Sequence, residues 1–155
     1  MTGKTLTLLA TLGSAALLLG AFGFQHLGGY APCQMCLWQR WPHAAAVLFG
    51  AIVLLGGPRV LAWLGALAAA VTALIGVFHA GVEWGWWPGP SSCTGGGMDL
   101  GSLDGGSLLS TEGPSGLVMC DEIVWQFLGL SMAGWNAIFS FIWFGLWVAA
   151  ARKAA

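Results

Sequence analysis

The chain has 155 residues, of which 57% are hydrophobic and only 7% charged, with a net charge of −1 and a mean hydropathy of +0.80. A soluble domain carries about 25% charged residues, so the missing charge excludes an ordinary globular domain and places the chain in lipid. With five Lys and Arg against six Asp and Glu, no nucleic-acid partner is expected.

A bilayer span needs roughly 20 predominantly apolar residues. Four stretches meet that need, at about 6–24, 41–57, 60–78 and 133–151, and none has an acidic or basic side chain in its core. The first follows Lys4 and holds small residues, as a secretory signal does. It runs on to Phe24 with no A-x-A-like site after it, so it is expected to stay as a membrane anchor. Gly56, Gly57 and Pro58 predict a tight turn joining the second and third stretches as a helical hairpin. The expected fold class is an all-α integral membrane four-helix bundle, a single membrane domain over 1–155 with loops at about 25–40 and 79–132.

Lys4, Arg59, Arg152 and Lys153 fall on one side of this arrangement, which the positive-inside rule makes cytoplasmic, with both termini. All six acidic residues lie in the long loop between the third and fourth stretches, which then faces outward. Arg40 is the basic residue that breaks the rule. Trp38, Trp41, Trp135 and the tryptophans of "FHAGVEWGWWPGP" suit the membrane interface.

The four cysteines fall in the two outward loops, Cys33 and Cys36 in one, Cys93 and Cys120 in the other. Cysteines confined to an oxidising side point to redox chemistry or to disulfide staples. The Gly-, Ser- and Pro-rich run from Pro88 to Gly116 predicts a mobile loop without regular structure. In "CDEIVWQFLGL" the apolar residues Ile123, Val124, Phe127, Leu128 and Leu130 recur at helical spacing after Asp121 and Glu122, which predicts a short interfacial helix. That helix would hold Cys120 at the bilayer while Cys93 rides on a flexible arm.

The Cys33-x-x-Cys36 pair is close enough to form a disulfide and stands just before the second span. With Pro42 in a first helical turn, that helix is expected to begin around Arg40 or Trp41. Cysteines near a helix N-terminus gain thiolate character, and the thiolate is the attacking species in disulfide exchange. Leu37 stands where a c-type haem site needs histidine, and a structural zinc site would want two close-set pairs. Inert structural disulfides remain compatible with these residues. Arg40 fits either a snorkelling anchor or a partner for a thiolate or for the carbonyl oxygen of an electron acceptor entering from lipid. His26 and His79, at the outer ends of the first and third spans, are candidates for the same site, with weaker grounds for His43.

Three pieces of sequence together carry a family resemblance: "FQH" at 24–26, "PCQMCLWQR" at 32–40, and "C…WQFLGLSM" from Cys120 to Met132. The chain resembles the DsbB family of bacterial inner-membrane disulfide bond formation proteins over nearly its whole length. The resemblance implies a quinone-dependent protein-disulfide oxidoreductase that reoxidises the soluble periplasmic protein DsbA and passes the electrons to ubiquinone or menaquinone. It implies Cys33 and Cys36 as the quinone-proximal pair, Arg40 as the quinone-associated arginine, Cys93 and Cys120 as the mobile-loop pair, and, by a looser match, His79 as a quinone contact. Gln39 stands where the family often has an acid, and Trp38 where it often has tyrosine. DsbA is so oxidising, at about −120 mV, that a thiol pool near −200 mV cannot reoxidise it, whereas a quinone can. Two other readings are weighed. A reductase like vitamin K epoxide reductase carries its C-x-x-C after the loop pair, the reverse of the order here. A disulfide-stapled structural or transport protein would show no redox turnover.

Overall fold

Residues 1–93 and 118–153 are described in the computed structural model of the chain, and they form four helices and one small hairpin. In chain order these are α1 (Gly3–His26), α2 (Gln34–Leu54), α3 (Leu61–Glu83), strands β1 (Gln126–Phe127) and β2 (Leu130–Ser131), and α4 (Met132–Lys153). Apart from Pro42 in α2, no proline interrupts them. α1 starts where the Thr2 hydroxyl accepts the Thr5 N–H at 3.2 Å. α2 ends in the predicted glycine turn: Gly56 adopts φ 98°, its N–H bonds the Val53 carbonyl, and the Gly57 N–H reaches back to the Ile52 carbonyl at 2.8 Å. Only a residue at ease with positive φ closes a helix in this way.

α1, α3 and α4 are each long and apolar enough to cross a membrane. α2 has 21 residues, but Gln39, Arg40 and His43 make its first half polar. The helices pack in a ring, α1 on α2, α2 on α3, α3 on α4 and α4 back on α1. Their contacts are built from small side chains, with Ala10, Ala46, Ala62, Ala66 and Ala69 gathered around one large buried residue, Trp147. At Gly65 a methyl group would stand 2.8 Å from the Trp147 ring, so the α3–α4 approach depends on that glycine. Meanwhile Leu12, Leu19, Leu48, Leu67, Leu74 and Ile142 point outward. Small inside and large apolar outside is how helices associate in lipid, where burying leucine gains nothing over leaving it among acyl chains.

Cys33, His79, Glu83 and Ser131 gather at one end of the ring. At the other end the Lys153 ammonium donates to the Met1 carbonyl at 2.9 Å.

Two expectations are corrected. α2 begins at Gln34, not around Arg40 or Trp41, because Cys33 itself caps it: its backbone is extended and its Sγ accepts the Cys36 N–H. Pro42 therefore lies inside the helix, where it removes the bond that residue 42 would donate to the Trp38 carbonyl. The interfacial helix is replaced by the hairpin, with Phe127 paired to Leu130 and Gln126 to Ser131. Leu128 at φ 52° and Gly129 at φ 78° form its two-residue turn, the conformation whose twist suits two antiparallel strands. The expected loop from Pro88 to Gly116 lies mostly in residues 94–117, outside the described residues.

Candidate active site

α2 begins in a way that shapes its dithiol. Pro32 leads into an extended Cys33, and the helix then places Cys36 one turn on, over the same N-terminus. The two Sγ atoms are 2.8 Å apart, as free thiols, and the Cys33 sulfur also accepts the Cys36 N–H at 3.1 Å. The pair shares a proton. The S–H donated by Cys33 pulls Cys36 below the ordinary thiol range, and the Cys33 thiol is pushed up by that same bond and by burial. Both residues precede the apolar stretch of α2, so this chemistry sits at the membrane boundary.

Cys93 and Cys120 form a disulfide, with Cα atoms 5.4 Å apart, and the Cys120 N–H donates to the Cys93 carbonyl at 2.6 Å. The disulfide does not stand off on an arm. Cys93 and Cys120 are buried in one cluster with Cys33, Met35 and Val82, and Cys36 and Trp87 pack against it. One dithiol and one disulfide in contact is the arrangement that thiol–disulfide exchange needs.

On another side of Cys36 lies a cavity of about 390 Å³ between α1, α2 and α4, lined among others by Leu17, Phe24, Gln25, Arg40 and Phe139. The hairpin and the residues leading into it close over the cavity, with Val124, Trp125 and Phe127 in its wall and the Trp125 ring 5.0 Å from that of Phe24. Arg40 donates to Gln25 Oε1 at 2.5 Å and to the Ala21 carbonyl at 3.4 Å, and its guanidinium lies 4.9 Å from the Phe22 ring centre. Its Nε–H is buried and has no partner.

His79 lies on the far side of the dithiol from Arg40. It does not line this cavity but stands behind the dithiol, with Nε2 3.4 Å from Cys33 Sγ and 3.8 Å from Glu83 Oε1. His26 is exposed and stacks on Phe22, away from the cysteines. His43 lines the cavity wall and bonds Asn136 Oδ1 through Nε2 at 2.9 Å.

Several polar residues complete the site, among them Thr72, Ser131 and Asn136, which the sequence does not single out. Gln39 Nε2 donates to the Met35 carbonyl at 3.3 Å and lies 2.9 Å from His79 Nδ1. Asn136 Nδ2 donates to Gln39 Oε1 at 2.6 Å and to Thr72 Oγ1 at 3.2 Å, and the Thr72 hydroxyl donates to the Gln39 carbonyl at 3.2 Å. Glu83, counted in the sequence as a loop acid, is the last residue of α3; it accepts the Ser131 hydroxyl, whose oxygen also takes the Gly134 N–H at the start of α4. One available signal was the rarity of such groups, since polar side chains in membrane helices generally face the bundle and mark function.

A helical membrane protein that packs a helix-capping dithiol against a disulfide is a membrane thiol–disulfide oxidoreductase. Comparison with known proteins agrees. The family described as "Disulfide bond formation protein DsbB" matches residues 3–150. "Disulfide bond formation protein B" of Xanthomonas oryzae pv. oryzae (strain MAFF 311018) is 35% identical, over 93% of this chain and 87% of its own. The protein of that name from Marinobacter nauticus is 34% identical, over 90% of this chain and 86% of its own. "Disulfide bond formation protein B 2" of Pseudomonas aeruginosa is 33% identical, over 84% and 80% respectively. No solved structure matches. The chain belongs to the DsbB family, and it is a multi-pass, disulfide-forming membrane oxidoreductase.

Proposed function

We propose that the chain takes electrons from a soluble periplasmic dithiol protein of the DsbA kind, at the Cys93–Cys120 disulfide, and delivers them through Cys33 and Cys36 to a membrane quinone. The observation that carries the acceptor side is the cavity beside Cys36. Its 390 Å³ falls in the usual range for small-molecule sites, about 300–1,000 Å³. It is mostly apolar, as a lipid-soluble ring and tail require, and the unpartnered Nε–H belongs to its arginine, Arg40. An orphaned buried donor calls for an acceptor such as a quinone carbonyl. These residues fit a quinone, with Arg40 and Gln25 at its polar end and α1, α4 and Trp125 around the rest. When bound, a quinone supplies a two-electron, two-proton acceptor; ubiquinone and menaquinone share that chemistry.

The protein's own residues carry the exchange. Cys93 is only 5% exposed, so a partner thiolate reaches it after Trp87 and its neighbours give way. The thiolate bonds Cys93 and releases Cys120. Cys120 then attacks Cys33 of the oxidised pair: the Cys33–Cys120 bond forms, the Cys33–Cys36 bond breaks, and Cys36 leaves as a thiolate facing the cavity and Arg40. All four helices cross the bacterial inner membrane in this reading. The ends carrying Lys4, Arg59, Arg152 and Lys153 are cytoplasmic, and the cysteine end is periplasmic.

The test pairs Cys36→Ser with a short-chain quinone and reduced partner. The variant is expected to capture the partner as a mixed disulfide yet reduce no quinone; normal turnover would overturn the assignment.

A further inference from the structure

The hydrogen bonds around Gln39 have a direction that can be worked out atom by atom. The Met35 and Gln39 backbone carbonyls can only accept. Gln39 therefore turns its amide nitrogen to Met35, and the Thr72 hydroxyl spends its proton on the Gln39 carbonyl. Thr72 must then accept from Asn136, which turns Nδ2 to Thr72 and to Gln39 Oε1. The two ends of the chain give the same answer for Gln39: its oxygen faces Asn136 and its nitrogen faces His79. The second N–H of Gln39 is 2.9 Å from His79 Nδ1, so Nδ1 is the acceptor. A neutral His79 thus carries its hydrogen on Nε2, the atom 3.4 Å from the Cys33 sulfur.

We infer that His79 is a fixed N–H donor to Cys33 that stabilises this cysteine as a thiolate, and that Gln39 is the positioning residue that sets the tautomer. The inference rests on the proposed exchange only in giving Cys33 a thiolate to stabilise. Oxidation of the pair forms the Cys33–Cys36 bond and releases two electrons, to a quinone-class acceptor, and two protons, to that acceptor or to water. One proton leaves the pair readily, because Cys33 donates its S–H to Cys36. The second must leave Cys33, and the sulfur it leaves behind then accepts from two donors, the Cys36 N–H and His79 Nε2–H. A carboxylate at position 39 could not make this assignment, since it would accept from Nδ1 and turn a lone pair on Cys33. Cys33 Sγ, Cys36 Sγ and a His79 nitrogen also lie within 4.8 Å of one another, but an N–H aimed at the sulfurs has the wrong polarity for a shared metal ion.

The charged and titratable groups facing Cys33 are Cys36 on α2, His79 and Glu83 on α3, and Glu122 before the hairpin, which together line one small recess with it. Glu83 and Glu122 oppose a thiolate there, and the two N–H donors favour it.

The test needs neither quinone nor partner, so its failure is distinct from failure of the electron path. In Cys36→Ala protein with the Cys93–Cys120 disulfide intact, Cys33 is the one free thiol, and its ionisation is followed by ultraviolet thiolate absorbance against pH. Adding His79→Leu is expected to raise its apparent pKa by about one unit, tenfold less thiolate at a given pH, since a hydrogen bond to a charged group is worth at least that factor. His79→Gln, which keeps an N–H at similar reach, is expected to restore most of the shift. Nitrogen NMR of histidine-labelled unmutated protein reads the tautomer directly, with the His79 signal assigned by its loss in His79→Gln, and is expected to show hydrogen on Nε2. Hydrogen on Nδ1, an unmoved titration in His79→Leu, or a His79→Gln shift as large as that of leucine would each overturn the inference.

Discussion

Replacing Asn136 by leucine removes the side chain that ties α2, α3 and α4 together through Gln39, His43 and Thr72. Three hydrogen bonds are lost, of 2.6, 2.9 and 3.2 Å. Interhelical hydrogen bonds in membranes average about 0.6 kcal/mol and reach about 1.7. The three together then amount to roughly 2 kcal/mol, rising toward about 4 because Gln39 Oε1 and His43 Nε2–H are left buried without partners. Leucine matches asparagine in heavy-atom count and branching and is no smaller, so little of the loss comes from a cavity. The assay is reversible unfolding in mixed detergent micelles, followed by the fluorescence of the 10 tryptophans. Ile142→Ala serves as the lipid-facing control, since Ile142 is 49% exposed, and should stay within about 0.5 kcal/mol of the parent. If Asn136→Leu costs no more than that control, the polar network does not hold the helices together.

Three further outcomes follow from the site. In the reduced protein Cys33→Ala removes the S–H that holds Cys36 below the ordinary thiol range, so the thiolate fraction at neutral pH falls and alkylation of Cys36 at pH 7 should slow several-fold, with the loss recovered as pH rises. Arg40→Ala should raise the KM for quinone about tenfold or more, the scale of a lost charge-assisted hydrogen bond, while the rate of partner capture at Cys93 is unchanged. At Gly81 a methyl group would run into the Trp87 ring, which packs on the disulfide cluster. Gly81→Ala should therefore loosen that cover and speed reduction of Cys93–Cys120 by a small dithiol, whereas the same change at exposed Gly145 on α4, where nothing lies within 4 Å, should not.

What the sequence revealed and what it concealed divide along physical lines. The helices were legible because long apolar runs have few other fates in a chain this poor in charge, and the Gly56-Gly57-Pro58 turn because its backbone admits little but glycine. The start of α2 was misplaced because Pro42 suggested a first turn, while the real cap is a cysteine, which seldom serves as one. The hairpin was hidden because Phe127, Leu128 and Leu130 repeat at a spacing compatible with a helix; what decides the matter is a positive φ at Leu128, which leucine does not advertise. The C-x-x-C and Arg40 announced themselves by type and spacing. Asn136, Gln39 and Glu83 did not, because their roles arise only when residues far apart in sequence, 97 positions for Asn136 and Gln39, come within hydrogen-bond reach.

The most direct test of electron transfer from cysteine to quinone is thiol counting by mass-tag alkylation on the purified, fully reduced protein, before and after a soluble quinone is added without oxygen. The account predicts that quinone consumes all four thiols and that Cys36→Ser blocks the loss. Thiols that stay free in the unmutated protein would contradict it.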